Sequence, residues 1–103
     1  MLVRVAEPDR PAFQLRKGEE GLSVFDTEAA LPPLTEEEIL SSFRPGCIAL
    51  HRSQDDVLNK GLLIAPILGA ESLPERLRES HVEIVPGPGM SRGHFKQLLK
   101  ELE

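Results

Sequence analysis

Tryptophan and tyrosine are absent from this chain, and four phenylalanines are its only large aromatic side chains, so few rings remain for stacking nucleic-acid bases. Basic residues are also outnumbered. Twelve Lys and Arg stand against seventeen Asp and Glu, for a formal charge of −5, whereas general phosphate-backbone affinity needs a concentrated basic surface. The lone cysteine, Cys47, cannot form an internal disulfide, and no Cys/His cluster of metal-ligand spacing accompanies it. No resident metal is therefore expected, and the working compartment reads as reducing. The longest apolar stretch, Gly61 to Gly69, falls far short of the roughly 20 residues that cross a bilayer. Together with the lack of a secretory leader this predicts a cytoplasmic protein with no membrane partner, or one delivered into a target-cell cytoplasm without a classical signal peptide.

Several catalytic signatures are missing too. There is no Walker loop, dinucleotide fingerprint, Cys-x-x-Cys pair, His-Glu-x-x-His helix or Gly-x-Ser-x-Gly elbow. What is present is the balance of an ordinary globular chain, 40% apolar and 28% charged, which excludes disordered and fibrous classes. A length of 103 residues supports one domain, 1–103, with a single modest core. Aliphatic side chains, among them Leu22, Val24, Ile48, Leu50, Leu63, Ile64, Ile84 and Leu98, are expected to supply most of the buried area.

The order of patterns predicts an α+β fold. Leu2 to Ala6 alternates as a half-buried strand, with Arg4 pointing away from Val3 and Val5. Ala12 to Leu15 reads as a second extended piece, followed by a turn at Gly18 to Gly21 and a strand from Leu22 to Phe25. Thr35 with Glu38 marks a capping box for a helix to about Phe43, stopped by Pro45 and Gly46. Cys47 to Arg52 reads as a buried strand. Ser53 with Asp56 opens a short helix, Gly61 fits its left-handed cap, and Leu62 to Pro66 returns as a strand. Leu73 to Ser80 predicts a short helix entered through Pro74, His81 to Val85 a strand, and Ser91 the cap of a C-terminal helix carrying Phe95, Leu98, Leu99 and Leu102.

Taken residue by residue, the candidate chemical groups have plain structural explanations. Ser23 alone reads as a solvated strand residue, and His81 as a partly buried histidine with a backbone partner. Arg4 suits an ion pair with Glu7 or Glu83, or a phosphate clamp through its planar fork of donors. Glu83 is either a general base or a carboxylate on a strand's solvent face. The Glu36-Glu37-Glu38 run is a helix start. Pro86-Gly87-Pro88-Gly89 redirects the chain or presents backbone N–H groups to an anion, and Cys47 reads as a buried, inert thiol.

Two stretches taken together shift this balance: Gly21-Leu22-Ser23-Val24-Phe25-Asp26, and Leu77 to Phe95 with Ser80-His81-Val82-Glu83-Ile84-Val85-Pro86 and Met90 at their spacing. They resemble the cytotoxic type VI secretion effectors with an ADP-ribosyltransferase-like fold, which carry Thr-Ser-Val-Phe-Asp and, later, Thr-His-Tyr-Thr-Ile-Met-Pro. The likeness covers about a third of the chain, and Leu22 stands where that family has threonine. It implies a small ADP-ribosyltransferase-like domain of short, mainly antiparallel strands with three to four short helices. It further implies a bacterial toxin that binds NAD in a cleft between two small sheets and transfers ADP-ribose to an unknown target. Ser23 and His81 would act at the nicotinamide ribose, Arg4 at the pyrophosphate, with Glu83 as an acid/base group and Arg16, Arg44 and Arg52 as candidates for a second family arginine. Stabilisation of an oxocarbenium-like ribose would then carry the chemistry. An antitoxin or immunity protein is the implied partner. The competing expectation is a non-enzymatic protein-binding module on a similar scaffold; an RNA-directed phosphotransferase is disfavoured by the net charge.

Overall fold

Alternating side chains and turn-forming glycines produce five short strands, all in one antiparallel sheet. In the computed structural model, which describes residues 1–67 and 71–103, these are β1 (Leu2–Ala6), β2 (Leu22–Asp26), β3 (Ile48–Arg52), β4 (Leu63–Pro66) and β5 (His81–Val85). The end of the apolar run at Gly69 lies outside the described residues. The sheet order is β3-β1-β2-β5-β4, so β2 and β5 sit at the centre beside β1 while β3 and β4 form the edges. Among the described residues four α-helices accompany them: α1 (Glu36–Leu40), α2 (Gln54–Leu58), α3 (Glu75–Ser80) and α4 (Arg92–Lys100). The expectation of a small α+β domain of short, mainly antiparallel strands with three to four short helices therefore holds. The expectation of two small sheets does not, because every described strand belongs to a single ladder system.

Both faces of the sheet are covered, and strand alternation sorts the core into two layers. Leu2, Leu22, Val24 and Ile84 pack with Phe13, Val57, Phe95, Leu99 and Leu102 on one side. Val3 and Phe25 pack with Ala30, Leu34, Ile39 and Leu77 on the other. Helices α1, α2 and α3 have five or six residues each, too few to stand alone, and are held by burying Ile39, Val57 and Leu77 respectively. Side-chain caps define where helices begin: Thr35 accepts from the Glu38 N–H at 3.2 Å, Ser53 from Asp56 at 3.1 Å and Ser91 from His94 at 3.1 Å. The Glu38 carboxylate does not complete the capping box. It binds Arg76 of α3 instead, at 2.6 and 3.2 Å, tying the two helices together.

Other expectations change for physical reasons. The segment from Ala12 to Leu15 is irregular, since the Ala12 and Phe13 N–H groups donate to the Glu103 carboxylate, at 3.2 and 2.6 Å, in place of a neighbouring strand. Helix α1 stops at Leu40, three residues before Phe43. Strand β3 is an edge and not buried, leaving Ile48 40% exposed; Leu63 on the opposite edge is 44% exposed. Gly61 does take the left-handed conformation, at φ +84°, and no described helix is long and apolar enough to cross a membrane.

Candidate functional site

The site originates in an incomplete ladder. Strands β1 and β2 pair at Leu2↔Asp26 and Val3↔Phe25 and then part, whereas β1 and β3 stay paired through Ala6↔Ile48. A strand carbonyl left without a ladder donor must find another partner. Arg4 provides one. Its Nη1 donates to the Ser23 carbonyl at 2.9 Å and its Nε to the Ala12 carbonyl at 2.8 Å, so one guanidinium bridges the two diverging strands and the irregular 12–15 segment. Both sequence readings of Arg4 as an ion-pair partner are thereby corrected: Glu7 pairs with Arg10 at 3.2 Å and with Arg44 at 3.8 Å. Burial lowers the Arg4 pKa, opposed by Glu19 and reinforced by Arg16, yet a guanidinium remains charged at neutral pH.

Beside this split lies a cleft of about 290 Å³ lined by Arg4, Val5, Ser23, Phe25, Phe43, Ser72, Leu73 and His81. The structure therefore brings Arg4, Ser23 and His81 to one place, although they are separated by most of the chain. Register explains how Ser23 and His81 converge, and the bond to the Ser23 carbonyl brings in Arg4. Phe25 pairs across the strands with His81 and Ser23 with Glu83, so all four side chains share the sheet face that α1 and α3 cover. The His81 ring stacks on Phe25 with centroids 5.1 Å apart and planes at 22°, while Phe43 meets Phe25 edge-on at 5.9 Å. Three clustered rings thus line the same cleft as Ser23.

His81 does not have the backbone partner expected for it. Its Nδ1 is enclosed without a hydrogen-bond partner among the described residues, and burial lowers its pKa from 6.5, which favours the neutral ring. Glu83 lies two cross-strand pairs along from His81 and is not part of the cleft lining. Its carboxylate lies over Gly21, where an added Cβ would stand 2.6 Å from Glu83 Oε2. The glycine that opens the Gly-Leu-Ser-Val-Phe stretch thus makes room for Glu83.

A larger cleft of about 620 Å³ adjoins the first, sharing Arg4, Val5 and Phe43 as walls. Arg10, Arg16 and Lys17 line it, as does Cys47, which is part-exposed and not the buried thiol expected. Sequence reasoning missed Phe43, Ser72, Leu73 and Lys17. Phe25 was legible in principle, because it stands two residues from Ser23 on the same strand face; Phe43 and Leu73 lie outside helices and strands, where no such periodicity marks them. Among the described residues no group of three or more His, Cys, Asp or Glu is arranged to hold a metal. No family model, curated protein or solved structure matches the chain.

Proposed function

We propose that the chain is an ADP-ribosyltransferase-like toxin domain that binds NAD and transfers ADP-ribose to a macromolecular target in a bacterial cytoplasm, held in check by an antitoxin or immunity protein. One observation carries this reading: Arg4, Ser23 and His81, the three residues to which the family resemblance gives NAD-binding roles, line a single cleft. The cleft's chemistry fits a nicotinamide ribose. Phe25, Phe43 and His81 offer ring surface to a flat heterocycle.

NAD would supply the transferable ADP-ribosyl group through its nicotinamide–ribose bond. The acceptor's nucleophile replaces neutral nicotinamide at the anomeric carbon and loses its proton. Within that exchange Ser23 would orient the ribose by its hydroxyl, and neutral His81 would hold a ribose hydroxyl from a low-dielectric wall. Arg4 would place a permanent charge at the junction of the two clefts while holding β1 and β2 apart.

The test is induction of wild type, Ser23→Ala and His81→Ala in a bacterial host, with growth and cellular NAD followed together. Wild type is expected to arrest growth and consume NAD, and each variant to relieve both by at least tenfold in rate. Harmless growth with unchanged NAD for all three would overturn the reading. A stoichiometric partner retained by Ser23→Ala in that case would point to the binding module instead.

A further inference from the structure

We infer that the irregular strap of residues 10–17 is the wall of a diphosphate-binding site, with Arg16 and Lys17 as its ligand-contacting cations. The larger cleft is lined by four cations, Arg4, Arg10, Arg16 and Lys17, and by one acid, Glu7, in a chain whose formal charge is −5. Such local reversal of sign concentrates anions. Two of the four cations are committed elsewhere, Arg4 to the carbonyls of Ala12 and Ser23, and Arg10 to Glu7. Arg16 and Lys17 remain, both exposed on the cleft.

The strap that carries them is built in advance of any ligand. Glu103 accepts from the Ala12 and Phe13 N–H groups, and Arg4 donates to the Ala12 carbonyl, fixing one end. At the other, Glu19 N–H donates to the Arg16 carbonyl at 3.1 Å, Arg16 N–H to Glu19 Oε1 at 2.7 Å, and Gly18 turns the chain at φ +87°. Arg92 of α4 donates to the carbonyls of both Arg16 and Glu19. A wall held this way loses little backbone entropy on binding. The volume of about 620 Å³ suits a nucleotide-sized ligand, and the shared walls place its diphosphate next to the Ser23 and His81 cleft. The proposal rests on the NAD reading for the ligand's identity; the anion site stands on charge and geometry.

The experiment measures affinity for NAD, ADP-ribose and inorganic pyrophosphate by calorimetry, using wild type, the double variant Arg16→Ala/Lys17→Ala, and Lys96→Ala on the exposed face of α4 as control. The double variant is expected to weaken ADP-ribose and pyrophosphate by on the order of tenfold or more, with an unchanged melting curve, and raised salt to weaken wild type in the same direction. Lys96→Ala should match wild type. NAD binding that the double variant leaves intact overturns the wall while the NAD reading stands. Pyrophosphate binding that depends on Arg16 and Lys17, with NAD no tighter than pyrophosphate, upholds the wall and removes the NAD reading. Failure of wild type to bind any of the three overturns both.

Discussion

Along its edge with β3, strand β1 pairs at every position from Leu2 to Ala6, whereas along its edge with β2 it pairs at Leu2 and Val3 alone. The closed edge is an unbroken ladder of five residue pairs. The open edge is spanned by one guanidinium, and a cleft containing Ser23 and His81 lies against it. The contrast indicates how a chain this small can keep a stable sheet and a concave site together. Stability resides in the ladders and the two cores, and the site is confined to the few residues where a ladder is interrupted.

Core and cleft should therefore be separable by substitution. Phe95→Ala removes a ring that is 1% exposed in the core beneath α4, with no part in the cleft; a loss of about 3–5 kcal/mol in urea unfolding is expected, with ligand affinity intact in whatever fraction stays folded. Arg4→Met is expected to cost about 2–3 kcal/mol, because it strips two charge-assisted hydrogen bonds from the Ala12 and Ser23 carbonyls. Unlike Phe95→Ala, it should also change amide exchange at Ser23 more than at Val24. Equal protection of both would show that the split does not depend on the guanidinium.

Much of the framework was legible because it depends on neighbours in sequence. β1 and β5 begin and end where alternation and turn residues place them, and Thr35, Ser53 and Ser91 each cap the helix that follows. What was not legible depends on distant partners. Ala12 to Leu15 has the composition of a strand, yet its N–H groups are claimed by Glu103, from the other end of the chain. Ile48 and Leu63 have core-forming side chains, but nothing in a short apolar run reveals that its strand will be an edge. Arg4, Ser23 and His81 emerged only through resemblance; that they meet follows from the β2–β5 register and the parting of β1 from β2, neither of which is written in any local segment.

Two smaller effects sharpen the contrast. Gly21→Ala drives a methyl toward the far end of the Glu83 side chain, which can swing aside, so a cost of about 1 kcal/mol is expected. If Glu83 has no part in the site, the proposed NAD binding should survive this displacement; a loss matching that of Glu83→Gln would assign the carboxylate a positioning role. The smallest effect concerns pH. Because burial lowers the His81 pKa below 6.5, the unfolded chain binds more protons between the folded and unfolded values, and stability rises with pH across that window and is complete above 6.5. His81→Asn should flatten this part of the stability profile, and an imidazole titrating above 6.5 by NMR would contradict the enclosure of the ring.

The central claim is that ligand binds where β1 and β2 part, and an amide chemical-shift titration of wild type with NAD tests it most directly. The account predicts shifts at Val5, Ser23, Phe25, Phe43, His81 and Lys17. Shifts confined to the cleft of about 460 Å³ bounded by Arg52, Asn59, Lys60 and Glu101, or no shifts at all, would contradict it.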